Sequence, residues 1–350
     1  MFDHSHYVPV LRWKAAERDA LQNMRQSDKA RITPLVELVP KLLTYFGPKV
    51  GMTADIKVSR AASEMSRVWG HEPIFVDFWL LNLAIAINGG HPITVFGEKA
   101  RYNGLRLISV TGLDRSPDYQ KAVASLVQED RRGACIRLRR QDLNRATLAK
   151  DLEKLLNGLG LSPDTTDLIV DYQLIDENVP NLANLCTFVP QLSGWRTFTT
   201  VGGAFPKDLS KLKKNDQHLL PRRDWVAWSR QVIDASKLPR TPSYGDYTIQ
   251  HPFYSELDFA PNPSASIRYT SRENWIIMRG EGVRNDEGTG YRQFPAQAQL
   301  LCANQEFCGM NFSAGDRYIY QMSLQKGRTG TPTTCLCAGF NHHITTGNLW

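Results

Sequence analysis

The sequence predicts an α/β fold, a closed (β/α)8 TIM-like barrel, and two observations support this fold. Eight short apolar runs alternate with amphipathic, helix-like stretches along the first 250 residues. The runs are apolar throughout, as is typical of parallel strands covered by helices. Eight strand–helix units favour a closed barrel over an open sheet. No GxGxxG or GxxxxGKS/T motif follows any of these runs, so the usual phosphate-loop argument for an open nucleotide-binding sheet is missing.

The predicted strands are spaced regularly, with helix patterns between them. Helices are clearest at 54–69 and 116–130, where Ser116 can cap the helix and Pro117 takes the first helical position. A pair of helices is predicted at about 206–236. The eight strands are expected at 7–13, 32–39, 73–79, 105–112, 133–139, 166–173, 195–203 and 241–250.

The C-terminal part departs from this alternation. Segment 262–290 contains two β-like runs around a polar turn, which predicts a small β-rich insertion at the barrel rim. The helix pattern at 293–305 completes a barrel core of about 7–305. The remainder, 306–350, is rich in glycine and polar turns, so we expect a C-terminal extension that packs as a rim or lid. We therefore expect residues 1–350 to form a single barrel domain.

Composition restricts the class of protein. The chain has 350 residues, of which 42% are hydrophobic and 10% aromatic, and this excludes a largely disordered protein. It begins MFDHSHYVPV, which lacks the pattern of a secretory signal, and its longest apolar segment, 74–87, is too short to cross a bilayer. Six cysteines in this length do not indicate a disulfide framework. We expect a cytoplasmic protein with no membrane partner.

Charged residues lie at or near the ends of most of the predicted strands, and they form the candidate site. In a (β/α)8 barrel the chemistry lies where the strands end. A charge placed there beside apolar residues must be paired, hydrated or bound to a ligand. A ring of structural salt bridges explains one such residue as well as function does, but several at one end favour a binding or catalytic site. The residues are Arg12, Lys14, Glu37, Asp77, Arg137, Asp171 and Asp246.

Two kinds of chemistry are combined in this group. Its three basic side chains, with the neighbouring Tyr247, are candidates to bind a phosphate or another anion. Its four carboxylates are candidate general acids or bases. They are also candidate oxygen ligands for a divalent metal such as magnesium.

Weaker candidates lie further along the chain. His342 and its neighbour His343 can supply one general base or metal ligand, although a structural histidine is the commoner outcome. The basic run 207–225 is the best candidate surface for nucleic acid, and a solvated helix face is its simpler interpretation. The segment 268–280 alternates basic residues such as Arg279 with aromatic ones, which suits base stacking or ordinary packing.

Six ordered motifs resemble one known family over nearly the whole chain. They are YVPVLRWKAAERDAL, ITPLVELVP, LPRRDWVAW, YGDYTIQHP, IRYTSRENWIIMRGEG and AGFNHHITT. The chain is similar to the family named after a bacteriophage beta protein, which is found in bacteria and phages. The resemblance implies a role in defence against phages, and it assigns no catalytic residue.

Two functions are consistent with these observations. One is a phosphodiesterase or nuclease-like hydrolase, whose basic residues neutralise a phosphate while carboxylates bind a metal or activate water. The other is a non-catalytic sensor or adaptor of a defence system, which binds a nucleotide or a phage protein and signals to a partner protein. The net charge of +7 permits a nucleic-acid partner without requiring one. No hydrolase motif is present, which weighs against the enzyme.

Overall fold

Eight parallel strands form a closed barrel in the computed structural model of this protein, which confirms the predicted (β/α)8 fold. The structure describes residues 2–40, 42, 53–81, 90–178, 181–231, 238–255, 262–284, 290–327 and 329–347. Its strands are β1 (Tyr7–Arg12), β2 (Leu35–Glu37), β3 (Pro73–Asp77), β4 (Arg106–Thr111), β5 (Cys135–Arg139), β6 (Asp167–Leu174), β7 (Thr197–Gly203), β8 (Asp216–Pro221), β9 (Ser243–Asp246), β10 (Ser264–Thr270) and β11 (Asn274–Gly282). Strands β1 to β7 follow one another around the barrel, and β9 closes it between β7 and β1.

Helices cover the outside of the barrel. Those of the described residues are α1 (Ala15–Gln22), α2 (Gln26–Lys29), α3 (Ala54–Trp69), α4 (Pro92–Tyr102), α5 (Pro117–Asp130), α6 (Arg140–Leu143), α7 (Leu148–Leu159), α8 (Leu182–Cys186), α9 (Arg223–Gln231), α10 (Gln293–Cys302), α11 (Ala314–Ser323) and α12 (Pro332–Gly347). The predicted cap of α5 is confirmed, because Ser116 Oγ accepts a hydrogen bond from the Tyr119 amide at 3.3 Å.

Small and branched side chains fill the barrel interior. Val8, Leu35, Phe75 and Ile169 belong to this inner core. Strand β9 has no room for a side chain at Gly245, because a Cβ there would lie 2.7 Å from Val201 Cγ2 and 2.8 Å from the Val8 carbonyl oxygen. A glycine is therefore needed where β9 closes the barrel.

The predicted β-rich insertion is a three-stranded antiparallel sheet in the order β10-β11-β8. Strands β10 and β11 form the predicted hairpin, but β8 lies within 206–236, so the prediction of two helices there is wrong. Alternate residues of β8 are half-buried and exposed, which is the period of a strand. Its partner β11 lies more than fifty residues later, and this tertiary pairing decides its structure.

The two faces of this sheet pack against different parts of the molecule. Ile276 and Met278 belong to a separate apolar core that also contains residues of α10, α11 and α12. Trp275 and Ile277 pack into the main core on the barrel side. Tyr269 lies on the first face and is fully buried, as Trp275 is on the second. An exposed base-stacking surface formed by these two rings is therefore excluded.

The segment predicted as a Gly-rich rim or lid contains two helices, α11 and α12. Helix α12 packs against α1 and β10, and Asn341 Nδ2 on it donates a hydrogen bond to the Ala20 carbonyl oxygen at 3.0 Å. Nearly every residue of its second half is buried. The end of the chain thus covers the side of the barrel next to β1 and β9. Across the described ranges, no helix is long and apolar enough to cross a membrane.

Candidate functional site

Five side chains meet inside the barrel where the strands end. This mouth cluster consists of Glu37, Asp77, Arg137, Asp171 and Tyr247. The Arg137 guanidinium lies at its centre, with Nη1 donating to Glu37 Oε1 at 2.9 Å and to Asp77 Oδ2 at 2.8 Å. Its Nε donates to Asp171 Oδ2 at 2.9 Å, and its Nη2 to Tyr247 Oη at 2.7 Å. The structure therefore brings together five of the predicted site residues.

Strand geometry explains this convergence. Successive side chains of a strand point to opposite faces, and the paired strands align Glu37 with Asp77 at one level of the interior. Asp77 ends β3, and Asp171 lies where the pairing of β6 with β7 becomes irregular. Asp77 Oδ1 accepts a hydrogen bond from the Trp79 amide, and Asp171 Oδ1 accepts one from the Gln173 amide, both at 2.9 Å. These are Asx turns, in which a short carboxylate fixes the backbone two residues later.

The charges of the mouth cluster stabilise one another. Burial favours neutral Asp77, but the guanidiniums of Arg115 and Arg137 outweigh it and hold the pKa of Asp77 below its ordinary value. Burial likewise opposes the charge of Arg137, and the surrounding carboxylates with Tyr247 raise its pKa well above the usual range. The pKa of Tyr247 is raised mainly by burial, so its hydroxyl stays protonated and donates to Asp171 Oδ2 at 2.6 Å.

A metal ion does not fit this arrangement. The carboxylates of Glu37, Asp77 and Asp171 converge on the guanidinium of Arg137, which takes the position that a cation would need. Among the described residues, no group of three or more His, Cys, Asp or Glu side chains is placed to hold a metal ion. The chemistry of the mouth is that of organic ion pairs.

Two further arginines surround the cluster. Arg115 Nη2 lies 3.1 Å from Asp77 Oδ2; the sequence did not single it out, because it lies in the loop after β4. Arg12 Nε lies 3.5 Å from Glu37 Oε2. Its Nη2 donates to the carbonyl oxygens of His251 and Pro252 at 2.9 and 2.8 Å. Arg12, predicted to bind phosphate, thus anchors the segment after β9 over the mouth.

A cleft of about 250 Å³ opens above the cluster. Trp79 forms one wall, with the guanidinium carbons of Arg115 and Arg139 at 4.2 and 4.3 Å from its ring centroid. Tyr254 forms another wall, and Lys14 Nζ lies 4.9 Å from the centroid of its ring. The cleft is also lined by Glu37, Leu80, Arg137, Gln173, Tyr247, Pro252 and Phe253.

Sequence reasoning missed part of this cleft. Trp79 and Arg139 each follow a predicted residue, Asp77 or Arg137, by two positions, and that spacing continues the same face of a strand. This signal was available in the sequence.

Gln173, which also lines the cleft, has a φ of 60°. This left-handed conformation is uncommon for residues other than Asn, Asp or Gly, and it often occurs at functional sites.

Asp246 does not join the mouth cluster. Because Gly245 and Tyr247 face the interior, Asp246 points outward from the barrel wall. There it lies in a second buried network, the wall cluster, between β9 and the C-terminal helices. Asp246 accepts hydrogen bonds from Tyr7 at 2.6 Å, Tyr244 at 2.9 Å and His343 Nε2 at 2.9 Å. The wall cluster consists of Tyr7, Arg222, Asp224, Tyr244, Asp246 and His343.

The two predicted histidines are fully buried and lie outside the mouth. His342 Nδ1 lies 2.9 Å from Asp316 Oδ2, and its Nε2 lies 2.8 Å from the Thr270 carbonyl oxygen. His343 Nδ1 lies 2.7 Å from Thr270 Oγ1, so a hydroxyl, an imidazole and the Asp246 carboxylate are aligned. All three groups are buried, so a substrate from solution does not reach them. Both residues lie on helix α12, where neighbours can be buried together.

The remaining candidates have structural contacts. Arg279 Nη1 donates to the Leu209 carbonyl oxygen and ties the 207–215 loop to the sheet. Arg222 of the basic run is fully buried, and its Nη2 lies 3.4 Å from Asp246 Oδ2. The lysines of this run stay exposed on a loop. The expected solvated helix face is therefore wrong for 207–221.

The strand order and the buried charges define a (β/α)8 barrel protein with a polar cleft at its mouth. The sequence profile of the Beta protein family matches residues 7–347. The chain therefore belongs to the Beta protein family. None of the curated proteins matches it.

Solved structures resemble the barrel at low identity. A mutant tryptophan synthase alpha-subunit from the hyperthermophile Pyrococcus furiosus has 14% identity and a TM-score of 0.38, over 59% of this chain and 81% of that one. A tryptophan synthase from M. tuberculosis has 10% identity and a TM-score of 0.37, over 71% and 84%. A putative fructose-1,6-bisphosphate aldolase from Coccidioides immitis has 12% identity and a TM-score of 0.27, over 67% and 81%.

Proposed function

We propose that the barrel mouth binds a phosphate-bearing ligand of nucleotide size, and that the protein recognises this ligand without hydrolysing it. One observation carries the proposal: cations and aromatic rings alternate around a cleft whose floor is already neutral. Arg139 and Trp79 line one side of this cleft, and Tyr254, which has Lys14 Nζ over its ring, lines another. Stacking rings and basic groups together suit a base and its phosphate.

Charge balance supports an anionic ligand. Within the described contacts, the three carboxylates of the mouth are matched by three guanidiniums, those of Arg12, Arg115 and Arg137. Arg139 lies 3.4 Å from Asp114 Oδ2. Lys14 Nζ, over the ring of Tyr254, is a further cationic group next to the cleft. A partly enclosed site of this kind favours a phosphate over a cation.

Recognition is favoured over hydrolysis because the carboxylates are occupied. A general base must reach a water or a substrate proton. Asp77 and Asp171 instead hold Arg137 and their own turns. Removing either from these contacts would deprive the buried Arg137 guanidinium of one of its ionic partners, which is costly.

A hydrolase is the second candidate, and Glu37 is the observation in its favour. Glu37 lines the cleft, and its Oε2 accepts no hydrogen bond from the residues that the structure describes, although Arg12 Nε lies 3.5 Å away. That oxygen is the group best placed to activate a water. Glu37→Gln would abolish turnover if this candidate is correct and leave ligand binding intact. Incubation of nucleotides and oligonucleotides with both proteins, followed by chromatography, tests it.

Calorimetric titration with nucleoside mono-, di- and triphosphates tests the binding proposal. We expect saturable binding that nucleosides without phosphate do not show. Lys14→Gln and Trp79→Leu should each weaken it by about tenfold, the effect of losing one charge-assisted or stacking contact. Lys150→Gln is the matched control, since Lys150 is exposed on α7. Equal affinities of the Lys14 and Lys150 variants, or no binding by the wild-type protein, would refute the proposal.

The proposed setting is phage defence, with a partner protein that responds to the bound ligand; this follows from the family resemblance. Nucleic-acid binding by the exposed lysines of 207–214 also stays a prediction. Two of them are already paired, Lys213 with Asp216 at 3.4 Å and Lys214 with Glu281 at 2.8 Å. We therefore place the primary ligand at the mouth.

A further inference from the structure

A second pocket lies at the opposite end of the barrel, where the strands begin. Its volume is about 280 Å³. Arg106 and Asp167 are the first residues of β4 and β6, and Arg196 immediately precedes β7. These positions place the pocket at the end of the barrel away from the mouth, so it is independent of the function proposed above.

Four arginines line this pocket: Arg106, Arg131, Arg132 and Arg196. Arg106 and Arg131 are exposed, and their side chains make no hydrogen bond or ion pair with the part of the chain that the structure describes. Arg132 Nη1 donates only to the Leu105 carbonyl oxygen, at 2.7 Å. These guanidiniums retain donors for a ligand.

The fourth arginine is fixed and orients the others. Arg196 Nη2 and Nε bind Asp167 at 2.6 and 3.0 Å, and its Nη1 donates to the Arg132 carbonyl oxygen at 2.8 Å. Gly133 makes this contact possible. Its φ is +71°, and a Cβ there would lie 2.1 Å from the Thr165 carbonyl oxygen and 2.9 Å from Arg196 Nη1. The turn that presents Arg131 and Arg132 is therefore held close to Arg196.

Positive charge dominates the pocket. Among the described residues that line it, Asp167 is the acidic one, and Arg196 and Thr197 already satisfy it. Three further guanidiniums face the same space without a carboxylate. Because planar guanidiniums bind phosphate oxygens through paired donors, we propose that this pocket is a binding site for a small polyphosphate anion.

The size and floor of the pocket define the ligand more closely. A volume of about 280 Å³ accommodates a diphosphate or triphosphate group. Phe2, Phe75 and Ile108 close the floor with apolar surface. The pocket thus borders the inner core of the barrel. A free polyphosphate and the phosphate tail of a nucleotide share this chemistry.

Calorimetric titration of the full chain with inorganic pyrophosphate tests the site, with sulfate at matched ionic strength as the comparison. We expect one saturable site that prefers pyrophosphate, and an affinity at least about tenfold lower in Arg106→Gln/Arg131→Gln. The matched control is Arg67→Gln/Arg317→Gln, which removes two exposed arginines elsewhere. Lys14→Gln, at the mouth, should leave pyrophosphate binding unchanged. Titrations of Lys14→Gln, weakened at the mouth, with nucleoside triphosphates then distinguish the free anion from a nucleotide tail.

Three results would overturn the proposal. One is pyrophosphate binding that the Arg106/Arg131 pair does not weaken more than the control pair. Another is binding that disappears in Lys14→Gln, since it would then belong to the mouth. The third is binding of an oligonucleotide through Arg106 and Arg131 without binding of pyrophosphate, because the arginines would then form a macromolecular surface. Thermal melting checks that each variant is folded.

Discussion

The mouth cluster and the wall cluster are both buried charge networks at strand ends, but they differ in what lies next to them. The mouth cluster is inside the barrel, and Glu37, Arg137 and Tyr247 border an open cleft. The wall cluster is outside the barrel, and Asp246 and His343 are sealed beneath the C-terminal helices. One position along a strand decides between these locations. A buried charge at a strand end therefore indicates function only when its side chain faces the mouth.

The clusters also differ in their balance of charge. With Arg12 and Arg115 beside it, the mouth cluster has a guanidinium for each carboxylate, and Asp77 has a lowered pKa. In the wall cluster, burial raises the pKa of Asp224 to about 7. The guanidinium of Arg222 lowers this pKa, and the negative charge of Asp246 raises it. The pKa of Asp246 is lowered because His343 and Arg222 outweigh its burial. Of the two clusters, the wall cluster is thus the one expected to take up a proton near neutral pH.

The largest expected effect is that of Arg137→Gln. It would leave Glu37, Asp77 and Asp171 buried and facing one another without their common partner. Breaking such a network should cost more than about 5 kcal/mol of the free energy of unfolding. Urea denaturation followed by circular dichroism, together with the soluble yield, measures this. Arg139→Gln, at the rim, should cost at most about 1 kcal/mol. Similar denaturation midpoints for both variants would contradict the central role of Arg137.

Asp246→Asn separates stability from binding. It removes the charge that Arg222 and His343 contact in the wall cluster, and should cost about 3–5 kcal/mol of the free energy of unfolding. Nucleotide affinity of the folded variant should not change, because Asp246 faces away from the cleft. Asp171→Asn is the counterpart in the mouth cluster, where both stability and affinity should fall. Calorimetry at a temperature where both variants are folded makes the comparison; weaker nucleotide binding by Asp246→Asn would show that the clusters are coupled.

Asp224→Asn tests the difference in charge balance through pH. The pKa of Asp224 in the folded protein, about 7, exceeds that of the unfolded chain. The protonated carboxyl therefore stabilises the fold below about pH 4, and this stabilisation is lost as pH rises through about 7. Relative to Asp224→Asn, the wild-type protein should lose about 2–4 kcal/mol between pH 4 and pH 8. Urea denaturation across this range measures it. Asp164→Asn, at an exposed site, is the control for the loss of one carboxylate, and a flat difference for Asp224→Asn would argue against a raised pKa.

Much of the barrel could be predicted from the sequence because its determinants are local. Continuous apolar runs mark parallel strands, and the period of two fixes which residues share a face. Glu37, Asp77, Arg137 and Asp171 were grouped correctly for this reason. The prediction for Asp246 is wrong because neighbouring residues of a strand face opposite sides. Tyr247 faces the barrel interior, so Asp246 faces outward.

Other features depend on distant parts of the chain and could not be predicted this way. Strand β8 is short and largely exposed, and its pairing with β11 defines it. Arg115 lies in a loop, where no periodicity indicates its direction. The burial of His342 and His343 follows from the packing of α12 against α1 and β10. These elements are determined by tertiary contacts, which local patterns do not encode.

The seam between β1 and β9 has a consequence for the order of events during folding. Arg12 and Gln250, which meet at this seam, are 238 positions apart in the chain, and the packing of α12 on α1 joins Asn341 to Ala20, which are 321 apart. Strand β1 is synthesised first, yet one of its two neighbours is made only after more than 200 further residues, since β9 begins at Ser243. Until then its edge can pair with other chains. Closure over such long loops is slow, so a nascent chain of this protein spends most of its synthesis with an open barrel.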